Sequence, residues 1–138
     1  MDLNRRTDYA CRMIRAAYKN DGKVISVTKV AEQEGIPYAF ARSIQNDLVH
    51  AGLLRAERGA RGGLALACDP STTTLLHVLE CVQGPISMTA CTNDERFCDR
   101  RDGCEFHAVW KHAESMLKAY YASITLDDLF RHGRNSRR

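Results

Sequence analysis

Apolar residues recur at helical spacing along most of this chain, and the places where the rhythm changes mark its parts. Between Arg6 and Lys19, the residues Tyr9, Ala10, Met13, Ile14, Ala17 and Tyr18 share one side of a 3.6-residue repeat, predicting a first helix with Thr7 or Asp8 as its cap. Ser26 precedes Val27, Val30 and Ala31 in a short second helix stopped by Gly35. Pro37 opens a third helix to about His50, in which Phe40, Ile44 and Leu48 stack on one face. Two helices joined by a tight glycine-containing turn predict a helix-turn-helix. The pattern then turns strand-like: Leu53–Glu57 and Leu64–Ala67 flank Arg58-Gly59-Ala60-Arg61-Gly62-Gly63, predicting a β-hairpin wing. Asp69-Pro70-Ser71 ends the wing. Thr74 to Gln83 is helical again, with Leu75, Val78, Leu79 and Val82 inward, until Gly84-Pro85 breaks it. Phe106, Val109, Ala113, Met116, Leu117, Tyr120 and Ile124 then mark a long helix with an apolar stripe.

The expected fold class is therefore mainly α. Residues 1–70 form a winged helix-turn-helix domain, residues 71–130 a cysteine loop with dimerisation helices, and residues 131–138 a disordered basic tail. A long apolar stripe on so small a protein has little of its own core to cover, which predicts a homodimer.

Stacking Phe40, Ile44 and Leu48 inward turns Tyr38, Arg42, Gln45 and Asn46 outward, and Ser43 joins them as a candidate DNA contact. Any amphipathic surface helix shows such a face; the wing that follows is what favours DNA. Its glycines allow a close approach to a phosphate backbone, and Arg58 and Arg61 are placed to neutralise phosphates or enter a minor groove. Charge follows the same division. Residues 1–67 hold eleven Lys/Arg against seven Asp/Glu, residues 68–130 five against ten, and the last eight residues four against none. The electropositive first half suits an anionic partner, double-stranded DNA.

Six cysteines would suit a disulfide scaffold in a secreted protein, but no signal-peptide pattern or membrane-length apolar run is present. The expectation is a soluble, cytoplasmic protein with no membrane association, in a reducing compartment where clustered cysteines bind metal or do redox chemistry. Cys91, Cys98 and Cys104 lie in one polar loop with too few apolar residues to bury three thiols, and His107 follows three residues later. Three soft ligands on one segment form a metal or iron–sulfur site that lacks a fourth partner. Cys11, Cys68 and Cys81 are structural or incidental, and His112 is a helix-surface residue. Zinc is the alternative occupant, although no Cys-x-x-Cys pair accompanies His107 and His112. No nucleophile elbow, phosphate-binding glycine loop or paired carboxylate motif supports an enzyme.

A Thr-Asp-Tyr-Ala first helix, a helix-turn-helix, an Arg-Gly-Ala-Arg-Gly-Gly wing, a three-cysteine loop and a long helix ending Ile124-Thr125-Leu126-Asp127-Asp128-Leu129 together resemble the IscR and NsrR family of winged-helix iron–sulfur regulators. The resemblance covers nearly the whole chain. It implies a homodimeric transcription factor with Cys91, Cys98 and Cys104 on the family's three cluster positions. It also implies a fourth ligand that differs between branches: Asp8 of the other subunit in the nitric-oxide-sensing branch, or His107 in the cluster-assembly branch. The expectation favours Asp8 with a [4Fe-4S] cluster, sensing nitric oxide, redox state or iron–sulfur supply, over His107 with a [2Fe-2S] form. The six-residue gap between Cys91 and Cys98 is one longer than the cluster-assembly branch implies.

Overall fold

A computed structural model describes residues 2–132. Seven helices and one hairpin follow in the order α1 (Arg5–Lys19), α2 (Val27–Glu34), α3 (Tyr38–His50), β1 (Leu54–Glu57), β2 (Gly63–Leu66), α4 (Leu75–Gln83), α5 (Ala90–Asn93), α6 (Glu105–Ala122) and α7 (Leu126–His132). Mainly helical architecture with a two-stranded antiparallel wing is what the sequence pattern predicts.

α1 is the central helix, packed against α2, α3, β2 and α4. Its buried side includes Tyr9, Ala10, Met13, Ile14 and Ala17. Its cap is neither Thr7 nor Asp8. Asn4 closes the helix by accepting the Thr7 N–H at 2.8 Å, and Thr7 itself is fully buried. Ser26 caps α2 by accepting the Lys29 N–H at 3.1 Å. Gly35 ends it in the left-handed region (φ 66°), where a residue with a Cβ is disfavoured.

α3 begins directly after Pro37, and its buried face is Ala41, Ile44, Gln45 and Leu48. Phe40 is not part of it. At 47% exposed, Phe40 packs its ring edge-on to Tyr9 with centroids 5.9 Å apart. The i, i+3, i+4, i+7 face centred on Ala41 thus carries Gln45 inward, 8% exposed, which corrects its expected place among the outward residues.

β1 and β2 pair antiparallel with Leu54 opposite Leu66 and Glu57 opposite Gly63. Ile25, just before α2, adds a further rung: its N–H donates to Leu64 O at 2.9 Å and its carbonyl accepts the Leu64 N–H at 2.8 Å. Gly63 is what permits this approach. Its φ is 156°, and a Cβ there would stand 2.1 Å from Ile25 O.

The core does not stop at the wing, because Val78 of α4 and Leu126 of α7 belong to the same buried cluster as Met13, Ile44 and Leu54. The expected continuous helix through Ile124 is interrupted. α6 ends at Ala122, and Ile124 O accepts from Leu75 N–H at 2.8 Å while Leu126 N–H donates to Thr73 O at 3.0 Å. These bonds to Thr73 and to the first residue of α4 hold Ser123–Thr125 out of helix. Arg131 and His132 belong to α7 rather than to the expected disordered tail; the rest of that expectation, residues 133–138, lies outside the described residues.

Candidate functional site

Two arrangements bear on function: an exposed helix face beside the wing, and the cysteine segment. On α3, Tyr38, Arg42 and Asn46 are exposed at four-residue spacing and form one outward stripe. Ser43 is exposed too, but its hydroxyl accepts a hydrogen bond from Arg6 Nη2 at 3.0 Å. Arg6 also binds Asp47 through Nε at 3.2 Å and through Nη2, placing a cation beside the acidic residue of this helix. Gln45, being buried, is not placed to reach a base edge. In the wing, Arg58 and Arg61 are exposed at the tip, where Gly62 N–H donates to Gly59 O at 3.0 Å and closes the turn. Arg55 is held lower on the hairpin by Glu57. Helix stripe and basic tip thus lie on either side of the α3–β1 turn.

The cysteine segment leaves α4 at Gln83. Gly84 has φ 88°, Ile86 is buried, and the chain then enters a turn rich in hydroxyls. Ser87 donates to Thr89 O at 2.7 Å, and Thr92 Oγ1 lies 3.1 Å from Ser87 Oγ and 2.9 Å from Thr89 O. Within that turn sits Cys91, whose sulfur is 2.9 Å from Thr89 Oγ1 and 3.5 Å from His107 Nδ1. The helix α5 carrying Cys91 is one turn long. Sequence periodicity gave it no signal.

Glu114 fixes this turn to α6. It is 5% exposed, accepts the Met88 N–H at 3.2 Å and lies 3.4 Å from Lys118 Nζ. Burial alone would raise its pKa, but hydrogen bonds from Thr92, Met88 and Lys118 outweigh it and hold the carboxyl below its ordinary value.

Cys91, Cys98 and Cys104 are each half-buried with free thiols. Among the described residues, no three His, Cys, Asp or Glu side chains converge as a metal-binding group. The donor chemistry nevertheless suits a soft metal. A sulfur about 2.3 Å and an imidazole nitrogen about 2.0 Å from one tetrahedral ion would stand about 3.5 Å apart, which is the separation of Cys91 and His107. The same distance suits a thiol–imidazole hydrogen bond. Asp8 is exposed on α1 and ion-paired with Arg12 at 2.8 Å.

The remaining cysteines differ in setting. Cys11 packs against the core, and burial, reinforced by nearby Asp8, pushes its pKa up to about 11. Cys81 is raised by burial and then by Glu80, and its sulfur lies 3.6 Å from His77 Nε2. His112 is exposed on α6.

α6 shows an inversion. Its one buried residue is the acid Glu114, whereas Met116 and Tyr120 are 61% and 62% exposed and Phe106 and Val109 are exposed with them. With Ala113, these positions alternate in steps of three and four, the spacing of a helix–helix seam.

Residues 3–132 match the family model described as Rrf2, an iron-dependent transcriptional regulator. The chain belongs to the Rrf2 family. Protein aau3 of Rhizobium meliloti is 29% identical to this chain, the match covering 94% of this chain and 84% of that protein. The transcriptional regulator IscR of Photorhabdus laumondii is 26% identical over 85% of this chain and 71% of its own length. In fold the chain is similar to CymR, the global cysteine regulator of B. subtilis, with TM-score 0.79, 22% identity and 96% and 98% of the two chains covered. It is likewise similar to T. potens IscR, with TM-score 0.76, 19% identity and 100% and 92% covered. Rrf2 membership makes this chain a DNA-binding transcriptional regulator rather than an enzyme. No described helix is long and apolar enough to cross a membrane.

Sequence reasoning missed Arg6, Gln83 and Glu114. Each acts on a residue far away in the chain, and nothing local distinguishes it from an ordinary surface or helix-end residue.

Proposed function

We propose that this Rrf2 regulator binds a double-stranded operator as a homodimer, and that an iron–sulfur cluster on Cys91, Cys98 and Cys104 sets its affinity. The observation that carries the reading is the pairing of three half-buried thiols on one segment with an imidazole already 3.5 Å from the first of them. Bound there, a cluster supplies a redox-active centre open to small oxidants or nitric oxide.

Tyr38, Arg42 and Asn46 read the DNA, with Ser43 at the edge of that face, and Arg58 and Arg61 neutralise phosphates from the wing. The apolar seam of α6 is covered by its copy in a second subunit. Left in water, that stripe would forgo roughly 25 cal/mol for each Å² of apolar surface it could bury.

Because it already stands 3.5 Å from Cys91, His107 is placed ahead of Asp8 as the fourth ligand, the reverse of the order expected from the resemblance. Asp8 of the partner subunit is the second candidate, supported by its exposure on the first turn of α1. Ligation by that carboxylate would compete with its Arg12 ion pair and suits a [4Fe-4S] cluster; His107 suits a [2Fe-2S] form.

Anaerobic purification followed by visible absorption, iron and sulfide analysis, and DNA binding before and after cluster loss tests the proposal. A broad visible absorption, with DNA affinity that changes on cluster loss, is the expected result. A colourless protein holding one zinc ion would replace the cluster with a structural metal.

A further inference from the structure

Arg6 and Thr7 are neighbours in the first turn of α1, yet they are fastened to different parts of the molecule. Arg6 holds α3, through the Asp47 carboxylate and the Ser43 hydroxyl. Thr7 holds the end of α4. Its buried hydroxyl shares one proton between Asn4 Oδ1 at 2.9 Å and Gln83 Oε1 at 2.8 Å. The same Gln83 oxygen accepts the Asn4 N–H at 3.3 Å, and Gln83 Nε2 donates to Asp2 O at 2.6 Å. The whole Gln83 amide is thus spent on the segment that begins α1.

Gln83 is the last residue of α4, and Gly84-Pro85 lead from it into the turn that carries Cys91. A shift at residues 84–91 therefore acts on Gln83, then on the first turn of α1, then on α3. The Thr7 hydroxyl is fully buried, and a buried donor resists losing its partner, so Thr7 and Gln83 move together rather than apart. A cleft of about 120 Å³ beside Asp2, Gln83 and Ile86 leaves this joint room to shift.

We propose that the first turn of α1 is a positioning joint, in which Gln83, Thr7 and Arg6 set the lie of α3 against the cysteine-bearing segment. DNA bound at α3 and the conformation of residues 84–104 are then linked within one subunit, and the linkage runs equally in both directions. The inference rests on α3 reading DNA.

Peptide-resolved hydrogen exchange on the full-length protein, with and without a duplex selected by the wild-type protein from a random pool, tests it. In the wild type, DNA should protect α3 and change exchange in residues 84–94 by about 5-fold or more, the low end of ordinary coupling. In Thr7→Val, α3 should keep its protection while the response of 84–94 falls to within about 2-fold of none. Gln83→Met, which keeps the side-chain length and removes the amide, should do the same and serves if the buried Thr7 site does not tolerate valine. A response that survives both substitutions overturns the joint, as does a wild-type segment silent to DNA while α3 is protected. An α3 that gains no protection in the wild type overturns the DNA reading itself, and the joint falls with it.

Discussion

His107 Nδ1 stands 3.5 Å from Cys91 Sγ, an imidazole set against a thiol where the cysteine segment meets the long helix. Asp8 and His107 therefore make opposite demands. If His107 ligates, His107→Ala should lose iron and visible absorption while Asp8→Ala keeps both. If the partner's carboxylate ligates instead, Asp8→Ala should lose the cluster and the nitric-oxide response. Iron content and spectra of the two anaerobic variants decide between them.

Arg42 and Arg61 should fail differently. Arg42→Ala should relax sequence preference, at a cost of about 1–3 kcal/mol if the guanidinium contacts a base edge. Arg61→Ala should weaken binding to every sequence and reduce the salt slope by about one. Titrations over a range of salt read both effects, and unchanged affinity in both variants would remove α3 and the wing from the interface.

Placing a charge on the α6 seam should split the dimer without unfolding the subunit, because Met116 and Tyr120 are exposed in the single chain. Met116→Glu is expected to sediment as a folded monomer with weak DNA binding. The wild type should span two half-sites about one helical turn, roughly 34–36 Å, apart. A wild-type monomer at micromolar concentration would contradict this.

Glu114 makes the cysteine turn sensitive to acid. Its folded-state pKa lies below the ordinary value, so its contribution to stability is present above the ordinary carboxylate range and is lost as pH falls through it. Glu114→Gln should flatten the acid side of the stability profile. Thermal melts of both proteins over about pH 3 to 7 would show the two curves converging at low pH.

Cys11 should be the slow thiol. A pKa raised from the ordinary 9.0 to about 11 leaves about a hundred-fold less thiolate at pH 8 than an unperturbed cysteine has. The folded chain also keeps this proton longer than the unfolded chain does, so its contribution to stability falls as pH rises from about 9 to about 11. Alkylation followed by peptide mapping should find Cys11 labelled last; labelling at the rate of an unfolded thiol would remove the burial argument.

Helices α1 to α4, the wing, most of α6 and the cysteine segment were legible because each is written locally, in apolar spacing, glycines or clustered thiols; α5 and α7 were not. What sequence misplaced was decided by distant partners. Gln45 faces inward because α3 turns Ala41, rather than Phe40, toward the core, a phase that Tyr9 on another helix helps to settle. Ile124 leaves the long helix because its carbonyl is taken by Leu75. The cap of α1 moved to Asn4 because Thr7 is buried against Gln83, seventy-six residues away. Of the cysteine site, the ligand types were readable, whereas the Glu114 brace was not.

Gly63 lets two backbones meet where a side chain would stand between them, and the rung to Ile25 ties the hairpin to the ground before α2. Much of the wing's ordering therefore happens when the protein folds rather than when it meets DNA. An arm frozen in advance loses less entropy at the moment of contact. On the proposed reading, in which the wing and α3 both contact DNA, the arm also works as a caliper: the rung to Ile25 sets how far the hairpin stands from α3, and a duplex whose groove does not match that span must bend to it or be refused.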